Sequence, residues 1–177
     1  MKGLFFINKI IPLILIAFLV TFISDSGASI EIPSSSIRMR VIAKSNSQND
    51  QNDKMIIKTA LEDYLYDLTK DVKSSKEADM VIEEHLDELD DHISNTIKKE
   101  KINTTFKSSY GYNYFPEKEF KGVKYKSGNY KSYVVTLDEG KGDNWWCVLY
   151  PPLCLIDEDV EDNEYHFLIK DTLEKYN

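Results

Sequence analysis

Apolar and polar positions alternate along this chain with two different periods, and the changes of period mark its elements. From Ile37 to Ala43 the apolar Ile37, Met39 and Val41 alternate with Arg38 and Arg40, the pattern of a strand with one buried face. Arg38 and Arg40 are then expected to face water or a partner. Ser47 and Asp50 have the spacing of a capping box, which predicts a helix running to about Lys70 with Ile56, Ile57, Ala60, Leu61, Tyr64, Leu65 and Leu68 on its core-facing half. A second such pair, Ser74 with Glu77, opens a longer predicted helix. Its apolar stripe is Ala78, Val81, Ile82, Leu86, Leu89, Ile93 and Ile97, and its opposite face is strongly acidic. The short join at Val72 to Ser75 predicts an antiparallel helix pair.

After Glu100 the period falls to two. Ile102 to Tyr110 and Tyr130 to Leu137 read as strands. Phe115-Pro116 and the glycine turns at Gly122 and Gly128 suit a short hairpin or an irregular crossing between them. Asn163 to Tyr176 places Tyr165, Leu168, Ile169, Leu173 and Tyr176 on one side, which predicts a closing helix. The expected fold is α+β: an N-terminal strand, an antiparallel helix pair, a small antiparallel sheet and a C-terminal helix, preceded by a signal segment.

That signal segment breaks both periods. Lys2 and Lys9 precede the apolar run Ile10 to Ile23, and the small, polar stretch Ser24 to Ser29 follows it. Ser26 and Ala28 fit the small residues of a cleavage site after Ala28, so residues 1–28 are expected to be a signal peptide. With Leu4 to Phe6 added the run nears spanning length, and an uncleaved anchor is the alternative. Either outcome exports the rest, with membrane contact through this segment alone. Residues 29–36, with Pro33 and the serines Ser34 to Ser36, read as a linker, and residues 37–177 as one extracytoplasmic domain.

Charge and cysteine count narrow the partners. The chain has 22 basic and 30 acidic residues, a net charge of −8, which argues against binding nucleic acid. Two cysteines do not make a cysteine-dense scaffold, so the core must supply the stability.

Candidate chemistry concentrates between Leu137 and Asp157. Gly140 and Gly142 can adopt positive φ and allow a tight loop after a strand, but no helix opens behind them to hold a phosphate. Trp145 and Trp146 cannot both point inward from a strand, since successive side chains alternate. One should enter the core; the other would be an exposed interface anchor unless a further layer covers that face. Pro151-Pro152 ends the strand or confines it to an edge. The prolines bias the intervening chain toward a turn that can join Cys147 to Cys154, and export favours the bond, although buried free thiols are the alternative. Asn144, Trp145, Trp146, Tyr150, Arg38 and Arg40 are the candidate partner-binding residues. No catalytic residue, metal site or cofactor is assigned.

The run from Glu139 through Gly140, Gly142, Asn144, Trp145, Trp146, Cys147, Tyr150, Pro151 and Pro152 to Cys154 resembles the characteristic block of the stage II sporulation protein R family. Ile37-Arg38, Val41-Ile42-Ala43, Ser45 and Asp50-Gln51 resemble its first strand and the turn after it, and Phe115-Pro116 and Gly128-Asn129-Tyr130 its middle landmarks. Departures from the usual pattern are Arg40 for a histidine, Lys44 for an asparagine, Asn46 for an aspartate and Asp138 for a glycine. The resemblance implies a sporulation messenger with no active site of its own. It would be made in the forespore and exported into the intermembrane space. There it would activate a membrane-embedded aspartic protease that cleaves the sigma-E precursor. No small-molecule substrate is expected.

Two other classes remain open at this point. An exported envelope-associated binding module would use the acidic helix face, and its binding would weaken with salt. A metal-dependent exported hydrolase would need His85, Glu88 and His92, which share one helix edge but lack the order of a zincin helix. A thiol hydrolase on Cys147 and His166 has less support, because a disulfide or burial would silence the thiol.

Overall fold

The computed structural model describes residues 30–156 and 159–176. The expected export segment and its cleavage point lie outside them, and no helix among the described residues is long and apolar enough to cross a membrane.

Strand β1 (Ile37–Ile42) forms where the period-two pattern predicts it. Helix α1 (Gln48–Thr69) opens on Ser47, whose Oγ accepts the Asp50 N–H at 3.2 Å. Helix α2 (Ser75–Glu84) opens the same way: Ser74 Oγ accepts the Glu77 N–H at 3.2 Å, and the Glu77 carboxylate accepts the Lys73 N–H at 2.9 Å. The single long helix expected here is two, because the backbone turns out of helical geometry at His85 (φ −112°, ψ 19°) before α3 (Leu86–Lys99) begins. Ala78, Ile82, Leu89 and Ile93 are buried in one core on both sides of the break, so the apolar stripe carried no sign of it.

The next strand, β2 (Phe106–Phe115), starts later than the alternation suggests. Lys101 adopts the left-handed region (φ 56°), and the Ile102 N–H donates to the Ile97 carbonyl at 3.0 Å. The Lys101 N–H donates to the Lys98 carbonyl at 3.3 Å, which completes a Schellman termination of α3. Ile102 therefore closes a helix rather than opening a strand. A hairpin of β3 (Lys118–Phe120) and β4 (Val123–Tyr125) follows, with positive φ at Lys121 and Gly122 as mirror-image two-residue turns require. Then come β5 (Gly128–Leu137), β6 (Asn144–Tyr150), a 3-10 turn (Leu153–Leu155) and α4 (Asp162–Lys175).

The main sheet has the order β2-β5-β1-β6. It is mixed rather than antiparallel, since β1 runs parallel to β5 and antiparallel to β6. Helices α1 to α3 form the long crossover that a parallel pair needs. The chain between β5 and β6 must then pass over the end of β1, and the glycines serve that crossing. Gly140 has φ 62°, and a Cβ on Gly142 would lie 2.3 Å from the Ser45 carbonyl oxygen. The Gly142 N–H donates to the Ala43 carbonyl at 2.8 Å, and the Asp143 N–H to Asn46 Oδ1 at 2.6 Å.

One face of the sheet sends Ile37, Met39, Val41, Tyr133 and Val135 into the helix layer, where they meet Ile57, Leu61, Leu65, Ile82 and Leu89. Polar contacts tie the same layers together. Tyr133 Oη donates to Asp90 at 2.7 Å and Tyr110 Oη to Asp79 at 2.7 Å, so part of the acidic helix surface is spent on sheet tyrosines. The other face carries a second cluster of Ile32, Val123, Val148, Leu153, Tyr165, Ile169 and Leu173. Ile32 is 1% exposed, and the Lys124 N–H donates to the Ile30 carbonyl at 3.0 Å. Part of the stretch expected to be a linker is thus seated in the fold.

Two outcomes follow from this packing. Gly142→Ala should lower stability by about 1–3 kcal/mol in urea unfolding, because its neighbours are backbone and cannot yield, whereas Gly111→Ala, with nothing within 4 Å of the added carbon, should not. Burial first, then the aspartate hydrogen bonds, holds the Tyr110 and Tyr133 hydroxyls above their unfolded value of 10.0. The folded chain therefore keeps protons that the unfolded chain releases, and stability present below about pH 10 should be lost as pH rises above it. Tyr133→Phe should make that alkaline decline shallower in denaturation series run at stepped pH.

Candidate functional site

The alternation of β1 places Arg38 and Arg40 on the sheet face opposite the helices, and that face is not open water. Arg38 is 3% exposed and Arg40 is half-buried, so the face that alternation turns away from the helices is covered rather than open to water. The reason is a layer of aromatic rings contributed by three other strands. The Arg38 guanidinium lies 3.4 Å from the ring centre of Tyr130 and 5.2 Å from that of Phe115. Arg40 lies 5.6 Å from Phe115 and 5.1 Å from Trp146, and Lys118 lies 5.1 Å from Trp146 on its other side. Phe115 meets Trp146 edge-on at 4.9 Å and Tyr130 at 6.0 Å. Cations and rings thus alternate across β6, β1, β5 and the end of β2.

Beside this layer, between β6, the β3–β4 hairpin and the 3-10 turn, opens a cleft of about 330 Å³. Asn144, Trp145, Trp146, Phe115, Phe120 and Tyr125 line it, with Arg38 at its floor and Lys118 and Glu119 at its rim. Of the predicted partner-binding residues, the cleft brings together Asn144, both tryptophans and Arg38. Arg40 lies next to them through Trp146. Tyr150 does not join them: it is 2% exposed in the helix-side core and stands edge-on to Tyr176 at 5.6 Å.

The tryptophans divide between the faces as alternation requires, yet neither is an exposed knob. Trp145 packs on the helix-side core under Lys58, whose Nζ is 4.6 Å from the ring centre and 2.6 Å from Glu62. Trp146 is held between Phe115, Arg40 and Lys118. Both are half-buried and form walls of the cleft rather than a projection.

The C-terminal end of β6 is shaped by its prolines and cysteines. The strand lies at the sheet edge and stops at Tyr150, before Pro151-Pro152. The 3-10 turn brings Cys154 back to Cys147, Cα atoms 5.4 Å apart, and the two form a disulfide. At the other end, Asp138 takes the left-handed region (φ 46°), where glycine has the least strain. Its carboxylate pairs with Lys44 at 2.9 Å and accepts from Thr105 N–H at 2.8 Å. Lys44 and Thr105 together hold that carboxyl well below the usual range.

The groups considered for catalysis are engaged elsewhere. His85 Nδ1 is 2.7 Å from the Val81 carbonyl, His92 Nε2 is 3.1 Å from the Ala60 carbonyl, and Glu88 accepts from Tyr64 Oη at 2.6 Å. That last bond is the main cause that pushes the Tyr64 hydroxyl up to about 12. His166 Nε2 is bound at the Lys121 carbonyl, under the hairpin turn. Glu62, Cys147 and Cys154 come together with metal-ligand spacing among the described residues, but both sulfurs are in the disulfide.

Phe120, Tyr125 and Lys118 were not singled out from the sequence. Their signal was the aromatic density from Tyr110 to Tyr130, which strand alternation alone explained equally well. The cystine ring closes a short loop, so Cys147→Ser with Cys154→Ser should cost about 2 kcal/mol in urea unfolding, without loss of the overall fold by far-UV circular dichroism.

Comparison with known proteins bears on this arrangement. The model of the family described as stage II sporulation protein R matches residues 33–160. A relative, stage II sporulation protein R of Bacillus subtilis (strain 168), is 36% identical over 137 residues, covering 75% of this chain and 61% of the relative. The chain thus spans less than two thirds of that relative's length. No solved structure matches. Since the matched residues take in every strand that frames the cleft, the chain belongs to the stage II sporulation protein R family.

Proposed function

We propose that this chain acts in endospore formation as an exported signal. In this reading it leaves the forespore and, in the intermembrane space, activates a membrane-embedded aspartic protease, so that the sigma-E precursor is cleaved. Membership of the family carries the sporulation role. The observation that supports a contact role for the β6 region is the cleft itself. It is concave, aromatic and framed by the residues of the family-like block, with rigid walls set by a disulfide and two prolines.

Activation by binding has a thermodynamic requirement. The messenger must prefer the active arrangement of the protease over the inactive one. Moving such an equilibrium from mostly off to mostly on takes about 5.5 kcal/mol of differential affinity. Buried aromatic and arginine contacts of the kind gathered here are the residue types that contribute most at interfaces. Their walls are held before the partner arrives, so little ordering entropy is lost on docking.

The acidic helix surface is a weaker candidate for the contact. Asp79 and Asp90, which belong to it, are already bonded to Tyr110 and Tyr133 of the sheet.

The test is co-expression of the full chain with the protease and the precursor, read as precursor cleavage on immunoblots. Trp146→Ala and Lys118→Gln should each reduce cleavage severalfold at equal messenger level, while Glu83→Gln on the helix side should not. Cleavage unchanged in both cleft variants would remove the cleft as the contact. Absence of cleavage with the unaltered chain would remove the activation role.

A further inference from the structure

Among the described residues, the arginine at the floor of the cleft is provided with rings but not with an anion. Arg38 is 3% exposed, its Nη2 has no hydrogen-bond partner, and its Nε reaches only Ser36 Oγ at 3.4 Å. The ion pairs among the described residues join lysines to carboxylates, and neither Arg38 nor Arg40 takes part in one. Arg40 Nε likewise has no hydrogen-bond partner among the described residues. This is unusual chemistry for a chain with 30 acidic and 22 basic residues, where carboxylates are plentiful. A guanidinium stays charged at any ordinary pH, so burial cannot be relieved by loss of its proton. Burial draws its pKa downward all the same, so keeping the charge in this position costs the folded chain.

We infer that the cleft is a carboxylate-binding site: it takes an aspartate or glutamate side chain of an extended peptide segment of the partner, with Arg38 as the charge anchor and Trp146 and Phe115 as walls. The inference rests on the reading of the cleft as the receptor contact and adds the chemistry of what enters it.

Charge complementarity selects this occupant. The guanidinium presents donors in a planar fork that suits a carboxylate. Lys118 lies at the rim beside Trp146 and adds a second positive charge along the way in. Glu119, also at the rim, is solvent-exposed, so water and salt screen its repulsion far more than they screen the buried Arg38. The space of about 330 Å³ suits a side chain with part of its backbone and is at the lower end for a small-molecule pocket, about 300–1,000 Å³. Asn144 and the tryptophans of β6 border it along a sheet edge, so an extended segment can lie beside the strand while one side chain turns inward.

The test uses the full-length chain and a pair of N-acetylated, C-amidated pentapeptides, with glutamate or glutamine at the centre and valine and threonine on either side. The readouts are the NMR signals of the Arg38 Nε–H and the Trp146 indole N–H, followed through a titration at low salt. The glutamate peptide should move both signals and bind at least about tenfold more tightly than the glutamine peptide, as expected when a charge-assisted pair replaces a neutral one. Arg38→Gln should abolish that preference. Where Arg38→Gln fails to fold, Lys118→Gln serves instead, and there the preference should fall severalfold with the spectrum otherwise unchanged. Equal binding of the two peptides, or no shift at Arg38 with either, overturns the inference. Because this titration needs no protease, failure here alongside intact precursor cleavage would remove the carboxylate site and leave the proposed function standing. Intact glutamate preference with no precursor cleavage would do the reverse.

Discussion

Strand β1 is the element on which the rest of the structure depends, because its two faces carry opposite chemistries and its two edges are both taken. Ile37, Met39 and Val41 enter the helix-side core, while Arg38 and Arg40 enter an aromatic layer on the other face. Its parallel partner β5 and antiparallel partner β6 are joined by a loop that must cross over its end. That crossing explains Gly142, which meets the Ser45 backbone too closely for any side chain, and it places the start of β6 relative to the turn before α1. The cleft exists because β6 is held at the sheet edge in this register.

The aromatic layer is an incomplete solution to a costly problem. Removing a guanidinium from water costs several kcal/mol even after relaxation, whereas a cation over a ring returns about 2 kcal/mol when desolvated. Arg38 has two rings within reach, so the deficit is reduced rather than cancelled. A core built only for stability would more simply hold an apolar residue at this position. The residues that lower stability here are the same ones that make the cleft recognisable as a site. The rigid frame of the Cys147–Cys154 disulfide and the Pro151-Pro152 stop keeps the walls in place around the charge.

The Lys44–Asp138 pair illustrates how a left-handed backbone position is accommodated without glycine. A left-handed residue ends β5, where glycine has the least strain. Aspartate also tolerates this region, and its carboxylate here caps Thr105 and meets Lys44 at 2.9 Å. Lys44 and Asp138 thus satisfy one another across the entrance to the crossing loop.

By itself the amino-acid sequence determined what depends on near neighbours and on period. The capped starts of α1 and α2, the apolar faces of the helices, the alternation of β1, the end of β6 at the prolines and the family-like block around Trp145 and Trp146 were all legible, because each follows from residues a few positions apart. Only the tertiary structure decided what lies across from each face. Arg38 alternates like a solvent-facing residue, and nothing local to it reveals that Phe115 and Tyr130, far along the chain, will cover it. The break at His85, the Schellman end at Ile102 and the insertion of β1 between β5 and β6 were hidden for related reasons. A continuous apolar stripe does not record a backbone turn, and period two gives no strand order. Charge burial is a property of the partner surface, so the cleft could be read only once distant strands had been brought side by side.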